Sequence, residues 1–410
     1  SFSRMNITLI ILLLLTGNLA LGFWQRQELR QELRTRWRYY LLVEGIGLGF
    51  FLVFLAIRLG NPDLWHPNFG GEKPMDFAYF NAILKSTTFP PYNPWYSGSY
   101  INYYYYGFLL SAVLVKWLGI VPSIAYNLFL PSLFSMVALG AFSAGWNILK
   151  VLMPPKSEDS GGQPGQIKQM PLIGGLFAAA GVLVLGNLGT VRMIWHGIMS
   201  LVAPGGNIDG SNLFQRISWT FQGLPQFLSG TGLPYSTGDW YWIPSRAIPD
   251  NVITEFPFFT FLYADPHAHM FALPLTLLAL GWALSILFIR WNWRMEGKVG
   301  RWLPILLSFF FGAVVIGSLR PTNTWDLPTY LSLAVLAVIY TGCKYLQLPQ
   351  GRLAWLPGWL RRLLVPVAAA GGLTILSFVL YLPYSHWYAQ GYNEFILWEG
   401  PFSPFWSYIT

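Results

Sequence analysis

The chain has 410 residues, 54% of them hydrophobic and only 10% charged, with 20 tryptophans, 29 prolines and a formal net charge of +8. Ordinary soluble proteins carry about 25% charged residues, so this composition and a mean hydropathy of +0.44 exclude a soluble globular chain and make lipid the main solvent. The positive balance is not read as nucleic-acid binding, because the basic residues cluster between apolar runs, where they mark cytoplasmic loops. The single cysteine, Cys343, allows no internal disulfide.

Apolar runs of about 20 residues, the length needed to cross a bilayer, fall near 5–23, 39–59, 103–120, 123–149, 171–190, 270–289, 303–319, 327–343 and 363–382. No strand-like alternation runs through them, and a span must satisfy its backbone internally, so all are predicted as helices. The predicted class is an all-α polytopic membrane protein with about nine or ten transmembrane helices and an outer amphipathic helix. The first run is followed by WQRQELRQELRTRWR, a retained basic loop rather than a cleavage site. Residues 1–38 therefore read as one span plus a basic cytoplasmic loop, and 39–410 as the main membrane domain. A start at Ser1 and an aromatic end at Thr410 lead us to expect a longer parent protein. The segment 150–170, with PPKSEDSGGQPGQIKQ inside it, reads as a flexible linker.

Lys and Arg concentrate in 24–38, 290–301 and 344–362, which places these on the cytoplasmic side. The segments 60–102 and 318–328, and the chain after 383, then fall on the opposite side. That side is rich in Trp, Tyr, Pro and acids and is read as the working side. Counting crossings leaves one crossing or re-entrant hairpin hidden between 171 and 264. VRMIWHGIMSLVAPG and VITEFPFFTFLYAD are the candidates, both short for a full span.

Three constellations carry candidate chemistry. In the outer loop 60–102, a helical pattern starts at Pro74, with Met75, Phe77, Phe80, Ala82, Ile83 and Leu84 as its apolar side. Glu72 and Asp76, four residues apart, either neutralise the helix dipole or form an interfacial carboxylate pair able to act as general base. In EFPFFTFLYADPHAHM, the residues Asp265, His267 and His269 either hydrogen-bond at a helix start or ligate a divalent cation (Mg or Mn). Convergence of the alternate residues needs an extended backbone, and Glu255 or another loop would complete the ligand set. In GSLRPTNTWDLP, Arg320 pairs with Asp326 or with a ligand phosphate, and Arg246 invites the same two readings. Four successive tyrosines, Tyr103 to Tyr106, open the third run. At 100° per residue they spread around a helix, so some face protein, and at least one hydroxyl is expected to bond inside the outer site. No GxSxG, Walker A, CxxC or HExxH motif is present.

KPMDFAYFNAILKSTTFPPYNPWYSGSYINYYYYG, EFPFFTFLYADPHAHMFALP and RPTNTWD resemble the highly hydrophobic YYY-domain membrane proteins described mainly in archaea and Chloroflexi, over roughly residues 40 to 400. More distantly, an acid opening an outer helix, a Pro-Pro turn and an aromatic re-entry resemble GT-C glycosyltransferases. That resemblance implies transfer of a sugar from a polyprenyl-phosphate-linked donor on the extracytoplasmic face of the plasma (inner) membrane. Asp76, with Glu72 second, matches the loop carboxylate. Arg320, Arg246, Tyr103, Tyr104 and Asp326 would bind substrate, and Asp265, His267 and His269 suit a metal. The Asp-Glu doublet and Lys-Pro-Pro of many members are missing here. A non-catalytic integral membrane subunit contacting membrane-protein partners is the alternative reading, and a transporter the third.

Overall fold

The computed structural model describes residues 1–64, 71–103, 105–153, 169–246, 253–292, 302–346 and 357–388, with 397, 399, 400, 402 and 405. The chain divides into two compact units, Ser1–Ala179 with Asp265–Gly391, and Ala180–Ala264 with Tyr392–Thr410. Among the described residues there is no strand beyond one isolated bridge, Tyr92 to Tyr100. The protein is an all-helical polytopic membrane protein.

In chain order the helices are α1 (Arg4–Trp24), α2 (Arg26–Gly60), α3 (Lys73–Lys85), α4 (Tyr106–Leu118), α5 (Pro122–Leu152), α6 (Gln169–Ala180), α7 (Gly189–Ser200), α8 (Leu213–Leu228), α9 (Asp239–Trp242), α10 (Pro257–Tyr263), α11 (Ala268–Ile289), α12 (Trp302–Thr322), α13 (Asp326–Tyr345), α14 (Gly358–Val379) and α15 (Leu382–Ser385). Seven of them, α1, α2, α5, α11, α12, α13 and α14, are long and apolar enough to cross a membrane.

Among the described residues two of the expected runs do not form a full-length helix. The run at 103–120 yields only α4, 13 residues long; at 1.5 Å per residue it covers roughly 20 Å of an apolar core about 30 Å thick. The run at 171–190 breaks at a π-turn, Gly181–Leu185, and at Gly186 with φ 57°, before α7 begins. Gln169–Leu185 and Gly189–Ser200 pass the same test only when taken together, and they bend by 71° at the break, so by length and composition they add at most one element. This is where the sequence placed a hidden crossing. Its other candidate yields α10, seven residues long and too short to span.

A second difference concerns residues 24–38, expected as a loop. They are helical from Arg26 onward and run directly into the span of α2. Gln, Glu, Leu and Arg are good helix formers, and Glu32 pairs with Arg36 at 3.1 Å, one turn apart. The linker 150–170 begins inside α5, which continues to Leu152; residues 154–168 lie outside the described residues.

Small residues make the seams of the first unit. Ala272, Ala279, Ala313 and Ala334 are buried with Ile316, Leu319, Leu327 and Leu373 where α11, α12, α13 and α14 meet. Ala283, Ala337 and Ala370 continue the seam with Ile286 and Val338. Apolar residues gain nothing from leaving lipid, so close backbone approach and dispersion must drive this packing. Gly107 lets α4 meet α11, for a Cβ there would sit 2.4 Å from the Phe271 ring. Phe271 in turn packs on Phe108 at 4.9 Å and on Phe129 at 5.6 Å between ring centroids.

Gly107→Ala is therefore expected to destabilise the detergent-solubilised protein by roughly 1–3 kcal/mol through overpacking. Gly45→Ala and Gly281→Ala, where nothing lies within 4 Å of the added carbon, should melt at or above the wild-type temperature. Thermal unfolding of the three variants side by side checks this.

Candidate functional site

The buried face of α3 is Lys73, Asp76, Phe80 and Ile83, spaced by three and four residues. The expected apolar side supplied Phe80 and Ile83, but two ionisable residues share that face. Phe80 is in ring contact with Phe108 and Phe129 at 6.2 and 5.6 Å, so α3 packs on protein, and its first turn drives Asp76 inward. Asp76 is 0% exposed and Asp265, the residue before Pro266, is 2% exposed. The amide of Glu72 donates to Asp265 Oδ2 at 2.8 Å. Both oxygens of Asp76, Asp265 Oδ1 and the hydroxyl of Tyr126 have no hydrogen-bond partner while both carboxyls are ionised.

A proton resolves this. Burial foremost, then hydrogen bonding with Asp265 and the charges of Asp265 and Glu72, push the Asp76 carboxyl up to about 11. A neutral Asp76 donates its O–H to the Asp265 carboxylate, which pairs one oxygen of each carboxyl. Lys73 is also buried and its ammonium is pushed below its ordinary value, by burial first and by Arg58 second, with Asp265 and Asp63 opposing. Arg58, in the last turn of α2, donates to Asn127 Oδ1 at 2.6 and 3.1 Å.

Above this pair lies an accessible one. Glu72 Oε2 stands 3.2 Å from His267 Nε2, the two side chains 49% and 18% exposed respectively. His267 Nδ1 donates to the Asp265 carbonyl at 3.1 Å. Both ring nitrogens thus face oxygen acceptors, a pattern that an imidazolium with two N–H donors satisfies.

The metal reading of Asp265, His267 and His269 does not fit this geometry. His267 is extended, φ −61° and ψ 164°, but α11 begins at Ala268 and ends the alternation before His269. The two imidazoles stack at 5.6 Å between centroids instead of converging, and His267 is committed to Glu72 and the Asp265 carbonyl. Glu255, the proposed extra ligand, accepts from Thr260 within the second unit. Among the described residues no group of three His, Cys, Asp or Glu side chains is arranged to hold a metal ion.

Of the described tyrosines, Tyr103 and Tyr105 precede the helix and Tyr106 opens it. Helix α4 starts at Tyr106, and Tyr105 is its N-cap, so the four do not circle a helix; Tyr104 lies outside the described residues. Tyr103 donates to Asn323 Oδ1 at 2.9 Å, and Asn323 donates to Asp326 Oδ2 at 2.9 Å. The expected hydroxyl contact therefore exists, but it joins the tyrosines to RPTNTWD rather than to Asp76. Tyr105 stacks on Phe89 and meets Tyr384, and Tyr106 packs edge-on against Tyr381. Asp326 lies within electrostatic range of His269, which links the two clusters.

Arg320 does not pair with Asp326. It donates to the Ser385 hydroxyl and lies over Phe378. Arg246 belongs to the second unit, where it donates to Ser245 Oγ at 2.8 Å and covers the Trp242 ring at 4.0 Å. Sequence reasoning missed Arg58, Lys73 and Tyr126. A basic residue ending a span on the side opposite to the basic loops was the available signal for Arg58.

A folded-state value raised above the ordinary carboxyl value means that the native protein holds a proton the unfolded chain releases. The associated stability is fully present below about pH 4 and declines as pH rises toward 11. Asp76→Asn mimics the neutral carboxyl and can donate an N–H to Asp265. It is expected to melt at or above wild type at pH 8, and to lose up to about one proton's worth of pH dependence, about 1.4 kcal/mol per pH unit. Melting curves of both proteins from pH 5 to pH 10 check this.

The family described as Uncharacterized membrane protein (DUF2298) matches residues 1–410. No curated protein and no solved structure matches the chain. The match spans every element that builds the carboxyl cluster and the tyrosine tie, and the chain belongs to this uncharacterised membrane protein family.

Proposed function

We propose that this membrane protein is a glycosyltransferase-like enzyme that moves a sugar from a polyprenyl-phosphate-linked donor to an acceptor on the extracytoplasmic face of the plasma membrane. The observation that carries the reading is the half-exposed Glu72 carboxylate, fixed by His267 at the start of α3 above a buried acid pair. An acceptor hydroxyl would attack the sugar's anomeric carbon, its proton would pass to Glu72, and the polyprenyl phosphate would leave. Glu72 takes the base role ahead of Asp76, because a fully buried, neutral carboxyl neither meets an acceptor nor accepts a proton. Arg320 gives one N–H to Ser385 and retains further donors for a leaving phosphate.

An open groove of about 600 Å³ runs along the other end of α3, lined by Asn81, Lys85, Thr87, Thr88, Tyr92 and Asn93 among others. Amides, hydroxyls and an aromatic face suit a hydroxylated acceptor long enough to follow the helix.

A second reading, a non-catalytic integral membrane subunit, is favoured by the burial of Asp76 and Asp265 and by the engagement of Arg320 within the fold. The two separate on one assay. Purified wild type in vesicles is supplied with radiolabelled polyprenyl-phosphate sugars and monitored for release of polyprenyl phosphate. Glu72→Gln is expected to lose at least about 100-fold in rate, while Asp76→Asn stays within a few-fold of wild type. A normal rate for Glu72→Gln would sink the catalytic assignment. No donor consumption by wild type would leave the subunit reading standing.

A further inference from the structure

Helices α7 and α8 form a tight pair in the second unit. A Cβ at Gly223 of α8 would lie 2.1 Å from the Ile198 carbonyl of α7, and Trp195 Nε1 donates to Thr220 Oγ1 at 2.8 Å. The entry to α8 is fixed by a capping box, Asn212 with Gln215. The hairpin is thus rigid and uses only one side of α8 for packing.

The remaining circumference is sharply divided. Phe214, Ile217, Phe221, Leu224 and Leu228 are all exposed, at 83%, 44%, 73%, 38% and 73%. Their spacing of three, four, three and four residues confines them to an arc of about 80°. Gln215, Ser218, Gln222 and Gln226 are exposed on another face. Leu188, Val191 and Trp195 carry a second exposed apolar row, along α7. The only charged residues of the two helices are Arg192 and Arg216.

We infer that the α7–α8 hairpin lies in the plane of the membrane interface, with its apolar rows in the acyl boundary and its polar face toward the headgroups. At 1.5 Å per residue the helices cover about 18 and 24 Å, less than the roughly 30 Å a crossing requires. A crossing would also carry the three glutamine side chains of α8 into hydrocarbon, where Gln215 keeps only its capping contact with Asn212 and Gln222 only its bond to Ser218, so most of their amide groups would go unmatched, which is costly. The helices carry only cationic residues, Arg192 and Arg216, with Asp209 confined to the turn between them, and this net positive balance suits anionic phosphate headgroups. The bilayer is therefore the occupant, in preference to a partner protein, and this holds whether or not the chain is an enzyme.

The single native cysteine makes the test direct. In a Cys343→Ser background of this 410-residue chain, one cysteine at a time replaces Phe214, Ile217, Phe221, Leu224 or Leu228, and Gln215, Ser218, Gln222 or Gln226. Each is spin-labelled and reconstituted in phosphatidylcholine–phosphatidylglycerol vesicles. Collision with oxygen and with a water-soluble nickel chelate is then measured, and every labelled protein is checked for wild-type elution. Labels on the apolar row are expected to meet oxygen but not nickel, at one shared depth of about 5–10 Å; labels on the polar face should show the reverse. Depth that changes steadily from 214 to 228 would mean a crossing and overturn the inference. Protection from both reagents (a protein cover) or nickel access on both faces (water) would overturn it equally.

Discussion

Two carboxyl groups in a dry site cannot both be ionised, and the docking of α3 on the start of α11 is organised around that constraint. Asp76 stands in the first turn of α3, where the helix dipole favours a negative charge by about 0.3–1 kcal/mol, and rarely by as much as 2. Against it stand complete burial and the facing carboxyl of Asp265, each pushing the same way. The second effect wins, because desolvation of a buried charge costs several kcal/mol. The neutral acid can then donate to Asp265, and Asp265 also accepts the Glu72 amide. One proton thereby fastens the segment 71–85 to the start of α11.

What lies beside this tie explains its dryness. Phe80, Phe108, Phe129 and Phe271 form a continuous set of ring contacts among α3, α4, α5 and α11. Gly107 is the joint that lets the set close. The rings exclude water, exclusion neutralises Asp76, and neutrality removes the repulsion that would hold α3 away from α11. Polar and apolar parts of the site thus depend on each other. A second tie, from Tyr103 through Asn323 to Asp326, fixes the other end of the same loop to α13.

Much of the fold was legible. Seven spans follow from run length and hydropathy alone, because lipid imposes a single-residue-class rule on about 20 successive positions. The parity count calls for one more crossing or hairpin between 171 and 264, but it does not foresee that the 171–190 run itself breaks at the π-turn and Gly186. Less legible was anything set by three-dimensional approach. The tyrosines at 103–106 read as the start of a span, yet Tyr103 bonds Asn323 and meets Tyr388, Tyr105 packs on Phe89 and Tyr384, and the helix starts only at Tyr106. The DPHAH pattern suggested a metal because alternation looks convergent on paper; a helix starting at Ala268 destroys the alternation. The pairing of Asp76 with Asp265, and the roles of Lys73 and Tyr126, join distant segments and left no local trace.

The placement of the charges also bears on function. Arg58 and Arg320 lie in the last turns of α2 and α12, and Asp326 opens α13, so each sits at the helix end whose dipole it complements. Lys73 opens α3 and has the unfavourable sign there; its ammonium is depressed by burial first and by Arg58 second. A carrier that moves ions through a bilayer needs ionisable groups near the midplane, on broken helices. Here the ionisable groups of the site gather at helix termini, and the described break, at Gly186, carries none of them. This arrangement suits chemistry or binding at a membrane boundary better than translocation across it. Within such a boundary site, Glu72 differs from its neighbours in being both held by a specific partner and open to solvent. A reacting group must be positioned and reachable at once, and Asp76 and Asp265 meet only the first condition.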